Sequence, residues 1–319
     1  MKRIQFLALT SIFIGTFVAM LMGELLARYY FYGEQLFNPS YVNSFHNLFS
    51  SNLVQKSSND TLIYELKPNY DECFKGVQVS TNELGFRQGK HDTAKKQVAV
   101  IGDSFTMGSG VVFQDVYVEQ ANQVLDACEI QLLNFGVSGY NLNQYLSLSK
   151  KLLKQQSFDY LIWGFCQYND HLIPGKDYPK FEYHKESTKP TFYTSHLYVW
   201  LQAMWRKPGA YMHHHNEAQL NYVDTIFKEL SRLAKHHHIP AIIYLLGVDH
   251  RPKQLVNIKH LATKHDLIFV DGTSALKDKD VANMVLSIND SHPNSLGHKY
   301  LSLAIANYFK ENCHHNQWN

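Results

Sequence analysis

Ser104, His292 and Asp290 are the residues of this chain whose types and surroundings point to chemistry. Ser104 follows the run Val98-Ala99-Val100-Ile101-Gly102-Asp103, four apolar residues ending in turn formers, with Gly108 and Gly110 soon after. Such a run reads as a fully buried strand, central in a parallel sheet. Ligands of open α/β sheets bind at the carboxyl ends of the strands. A serine there, with its backbone N–H facing the same crevice, can act as nucleophile and oxyanion donor together. Its hydroxyl needs a base to take the proton, and histidine titrates in the useful range. The segment Asn289-Asp290-Ser291-His292-Pro293-Asn294 supplies one near the other end of the chain. Asp290 is close enough in sequence to fix the tautomer or orientation of His292.

The elements that must carry these groups alternate. Apolar spacing predicts strands over 98–101, 130–134, 160–163, 241–246 and 267–270. Between and after them it predicts helices over 115–127, 141–154, 218–235, 253–264 and 296–309. Strands alternating with helices mean a parallel sheet covered on both faces. Residues 33–96 are expected to form an extracytoplasmic preamble packing on this domain, which itself runs over 97–319. Within the preamble, 38–60 reads as a tether or an irregular packed segment, and order returns over 62–69. The stretch His171 to Asn216 interrupts the rhythm with four prolines and many rings, among them Tyr178, Phe181, Trp200 and Trp205. It reads as a lid or substrate platform, or equally as a helical excursion packing on the sheet or membrane.

Four blocks in order resemble the SGNH (GDSL) hydrolase superfamily: Gly102-Asp103-Ser104, Asn134 to Gly139, Tyr168-Asn169-Asp170, and Asp290 to His292. The resemblance covers Val98 to about Phe309. It implies a flavodoxin-like three-layer α/β/α sandwich and a carboxylic ester hydrolase needing no cofactor. It also places Gly139 as the oxyanion glycine and Asn169 as the side-chain oxyanion donor, beside the Ser104 N–H. Two positions depart from the family pattern. Gln167 holds a place usually given to glycine, which puts a side chain at that rim. Asp290 lies two residues before His292, where the usual spacing is three; Asn289 occupies that position, and the segment is closer to the shorter Asp-x-His-Pro-Asn form. The run Asn82 to Arg87 resembles the lead-in of membrane-anchored bacterial members. Phe86 and Arg87 are expected either to border the mouth of the site or to pack on the domain edge and tie down a loop.

The implied substrate is an acyl ester, for example an O-acetyl group, on a carbohydrate or lipid. The same residues would serve an O-acyltransferase in envelope polysaccharide modification, and a non-catalytic glycan-binding protein could retain the fold. Net charge of +2 without a dense Lys/Arg stripe does not imply nucleic acid as a partner. Lys2 and Arg3 precede Ile4 to Gly23, which carries no charge. About 20 such residues match a hydrocarbon core of roughly 30 Å. With no small-x-small cleavage site following, residues 1–32 read as an uncleaved, single-pass signal anchor in the cytoplasmic membrane. The basic N-terminus stays cytoplasmic, with the domain facing the periplasm or exterior, although Arg28 on the far side weakens that rule.

Other residues have plainer readings. Cys73, Cys128, Cys166 and Cys313 show no CxxC pairing, so zinc is unsupported; export would permit a disulfide of open connectivity. Cys166 reads as a small buried hydrophobe. Asp103 reads as a hydrogen-bond partner beneath the turn, and Asp170 as a turn or helix cap. Gly136 reads as a point of close backbone approach, and His298 as packing behind the site. The runs His213–His215 and His236–His238, with His314 and His315, read as solvated helix ends rather than metal ligands.

Overall fold

The computed structural model describes residues 2–39, 42, 48, 52–177, 195–198, 201, 215–287 and 290–314. The chain divides into two compact units, Met1–Ser51 with Lys185–Met212, and Asn52–His184 with His213–Asn319. The cut falls at Ser51, so that residues 52–96 form one unit with the α/β core. In the first unit, helix α1 (Lys2–Tyr32) is long and apolar enough to cross a membrane. Near its end, Glu24 accepts hydrogen bonds from Arg28 Nε, from the backbone N–H of His196 and Leu197, and from Ser195 Oγ. Most of the ring-rich stretch between 171 and 216 lies outside the described residues, as do His213, His214, Asn289 and His315.

The second unit opens with two small hairpins. Strands β1 (Val54–Lys56) and β2 (Tyr64–Leu66) pair antiparallel, as do β3 (Asp71–Phe74) and β4 (Val77–Ser80). Then comes a five-stranded parallel sheet of β5 (Lys96–Gly102), β6 (Ile130–Gly136), β7 (Tyr160–Cys166), β8 (Ala241–Leu246) and β9 (Ile268–Asp271). Its spatial order is β6-β5-β7-β8-β9, the doubly wound order of flavodoxin-like folds. Strand β7 runs on through Cys166 rather than ending at Trp163. Phe165 and Cys166 still pair with Leu245 and Leu246, and the whole strand is buried.

Side chains alternate between the two faces. Val98, Val100, Leu132, Ile162, Ile242 and Tyr244 pack against α3 (Tyr117–Leu125) and α7 (Ser295–His314). The opposite face carries Phe135, Trp163 and Phe165, packed among α4 (Leu142–Gln155), α5 (Glu217–His237) and residues of the loops. Helix α6 (Pro252–Lys264) packs on α5 and β9. Fully burying one such side chain contributes about 1.5–3 kcal/mol. Both α4 and α5 begin with capping boxes, Asn141 with Gln144 and Asn216 with Gln219, which satisfy backbone N–H groups at the helix starts. The last helix extends to His314, beyond the expected end at Phe309, and carries Cys313 into a disulfide with Cys128.

Three glycines prepare the sheet for the site. Gly102 is in register with Gly136 on one side and Gly164 on the other. Added Cβ atoms there would lie 2.0 Å from Thr106 Oγ1, 2.3 Å from Met107 N and 2.5 Å from Thr106 Oγ1, respectively. The short helix α2 (Ser104–Met107) therefore sits directly on the ends of three strands. The close approach expected at Gly136 is present.

Candidate active site

Helix α2 is set by its caps. Asp103 accepts from Phe105 N with Oδ1 at 2.9 Å, and Gly108 ends the turn at φ 78°. Arg87, buried, donates to the carbonyls of Gly108 at 2.7 Å and Val111 at 2.8 Å, clamping the loop behind the helix. Burial lowers its guanidinium to about 10, and it stays charged. Phe86 packs edge-on against Phe135. Both residues thus take the loop-tying and edge-packing roles rather than the mouth.

His292 stands on β11 (Asp290–Pro293), paired antiparallel with β10 (Val285–Ser287). Its Nε2 is 2.8 Å from Ser104 Oγ. Asp290 Oδ1 accepts from His292 Nδ1 and, at 3.1 Å, from the His292 backbone N–H. This double acceptance shows how an aspartate only two residues upstream reaches the ring. An ionised carboxylate only accepts, so Nδ1 carries the proton and Nε2 is left to receive one from Ser104. Burial pushes the Asp290 carboxyl up, but the bonds and charges of His292 and Lys75 outweigh it and hold it well below the usual range.

The oxyanion candidates follow the strands on either side of β5. Asn169, after β7, is exposed and gives one amide N–H to Asp103 Oδ2 at 3.2 Å. Gly139, after β6, has φ 81°, a conformation that favours glycine. Tyr64 donates to Ser138 O at 2.8 Å, and its hydroxyl lies 2.8 Å from where a Cβ on Gly139 would stand. The preamble strand β2 thus supports the loop that carries Gly139.

The Gln167 amide is turned into the loop after β8, donating to Asp249 O at 2.8 Å and Oδ1 at 2.7 Å. Asp170 caps the turn after β7, accepting from Cys166 N at 2.7 Å and from the Tyr145 hydroxyl. Burial, then the Asp103 charge, raises its carboxyl well above the usual range. Asp103 is raised by burial too. Cys166 is buried, with its thiol pushed up by burial and by the two aspartates. His298 is fully buried and accepts from Tyr117 N at Nδ1. His236–His238 end α5, with His236 and His238 exposed. Sequence reasoning missed Lys75, whose Nζ is 2.8 Å from Asp290 Oδ2. The glycine after it marks a turn, with no indication of where the Lys75 side chain would point.

Fold and site together define a doubly wound α/β protein with a Ser–His–Asp constellation where its strand order reverses. No protein-family model and no curated protein sequence matches the chain. Solved structures do. LAE5, an α/β hydrolase from the metagenome of Lake Arreo, Spain, aligns at 15% identity over 70% of this chain and 98% of its own, with a TM-score of 0.44. A lipolytic G-D-S-L family protein from Veillonella parvula aligns at 16% identity over 67% and 98%, TM-score 0.43. A catalytic mutant of Axe2, an acetylxylan esterase from Geobacillus stearothermophilus, aligns at 16% identity over 69% and 96%, TM-score 0.45.

Proposed function

We propose that this chain is a membrane-anchored serine ester hydrolase of the SGNH/GDSL type, acting on acyl esters such as O-acetyl groups of a carbohydrate or lipid. The observation that carries the reading is the Ser104–His292–Asp290 relay, with Nε2 within 2.8 Å of the hydroxyl oxygen. In the reaction, Ser104 attacks the ester carbonyl while His292 accepts its proton, and Asp290 stabilises the imidazolium that forms. The Ser104 and Gly139 N–H groups and the Asn169 amide receive the developing negative charge. His292 then protonates the leaving alcohol, and water, activated by the same base, releases the acyl group. Helix α1 supports anchoring. The Cys128–Cys313 disulfide supports an oxidising compartment, hence an extracytoplasmic domain.

The test is labelling of the full-length chain in detergent micelles with a fluorophosphonate probe, with the adduct located by mass spectrometry. We expect modification of Ser104 in the wild type and none in Ser104→Ala or His292→Ala. A folded wild-type chain that stays unmodified, where a serine esterase control reacts fully, would sink the proposal.

A further inference from the structure

The β3–β4 hairpin turns through Lys75 and Gly76, whose φ values are 48° and 81°. Two consecutive positive values are what a two-residue type I′ turn requires, and asparagine, aspartate or glycine is the usual first residue. Lysine has no local hydrogen bond to offset the left-handed conformation, so its presence there asks for a cause elsewhere in the fold. The side chain supplies one. Nζ lies 2.8 Å from Asp290 Oδ2 and 3.4 Å from His292 Nδ1, and only 17% of the side chain is exposed. The contact with Asp290 spans 215 residues of sequence.

We propose that Lys75 is a positioning residue of the site: it pins one oxygen of Asp290 so that the other faces His292, and it sets a positive charge beside the imidazole. The proposal rests on the esterase reading above. An aspartate two residues from its histidine has a short reach, and its second oxygen would otherwise be turned toward solvent by thermal motion. With the ammonium in place, His292 faces a nearly neutral ion pair instead of a bare carboxylate. Among the described residues, Asp103, beneath α2, and His298, from α7, also interact electrostatically with His292. The hydrogen bond and ion pair of Lys75 go to Asp290, so a change at position 75 probes the hairpin's contribution.

Two unit charges about 4 Å apart shift a pKa by roughly 0.7 unit even in water-like surroundings, and by more as the dielectric falls. The experiment is the rate of fluorophosphonate labelling of Ser104 from pH 5 to 9, on the full-length chain in detergent. Lys75→Met should move the acid limb of the profile up by about one pH unit, lowering the rate below that limb about tenfold. Lys75→Gln can still donate to Asp290 but carries no charge, so it should show the same displacement with a smaller loss on the plateau. Lys75→Arg should leave the limb in place, and it also serves if the neutral variants fold poorly. A wild type that labels while Lys75→Met and Lys75→Gln keep its limb, or lose rate equally at every pH, overturns the role of Lys75 and leaves the triad standing. A wild type that does not label at any pH overturns the esterase reading, and this proposal with it.

Discussion

Asn169 commits one amide N–H to Asp103 and is exposed, which leaves the other N–H for a substrate oxygen. If that N–H meets charge only as the tetrahedral intermediate forms, its loss slows chemistry without weakening binding. Asn169→Ala should therefore lower kcat on a small acyl ester by about 10²–10³ with KM little changed. A rise in KM with kcat intact would assign Asn169 to substrate binding instead. The candidate catalytic residues were legible because their cues are local: Ser104 ends an apolar run, and His292 has Asp290 beside it. Lys75 was not, because a lysine in a turn is by default a solvated charge, and only the folded hairpin shows where its ammonium goes. Gln167 is the reverse case, a departure visible in the sequence whose consequence, an amide bonded to Asp249, belongs to the loop after β8.

At the scale of elements, the sheet and its helices were readable from alternation, because strands buried on both faces and amphipathic helices leave distinct apolar patterns. Less readable was the hairpin carrying His292, since β10 is short and β11 pairs with it through an irregular register. Equally hidden was the packing of α7 behind α3, where His298 stacks on Tyr117 at 6.1 Å. Burial, with the Arg87 and His292 charges adding, lowers His298 to about 3. Unfolded, it titrates near 6.5. Between those values the unfolded chain binds a proton that the folded chain refuses. Its contribution to stability is thus complete above about pH 6.5 and declines as pH falls toward 3, by up to about 1.4 kcal/mol per unit. His298→Asn keeps an acceptor for Tyr117 N but cannot titrate. Thermal unfolding at pH 7.5 and 5.5 should show a lower midpoint for the variant at pH 7.5 but a smaller drop on acidification. Identical drops in both proteins would remove His298 as the source of acid sensitivity.

For the whole molecule, the telling feature is a pairing that the sequence left open. Four cysteines forming two bridges allow three connectivities, and none had to form. The fold brings together Cys128, after α3, and Cys313, near the end of α7, across a separation of 185 residues. Cys73 and Cys166 remain thiols. In the chain-entropy account, closing so long a loop removes denatured-state freedom worth about 5 kcal/mol at most, and 2–4 kcal/mol is typical. Such a bond forms and persists in oxidising compartments and is rare in the cytosol, so its redox state in cells reports which side of the membrane the domain occupies. Rapid acid quenching of cells expressing the full chain, followed by a mass-tagged maleimide under denaturing conditions, counts the thiols directly. The exported reading expects two tags, on Cys73 and Cys166, and four after reduction. Deleting α1 should retain the chain in the cytoplasm and give four tags without reductant. Four tags on the intact chain would mean that the domain folds on the reducing side, and the orientation argued from Lys2 and Arg3 would then be reversed.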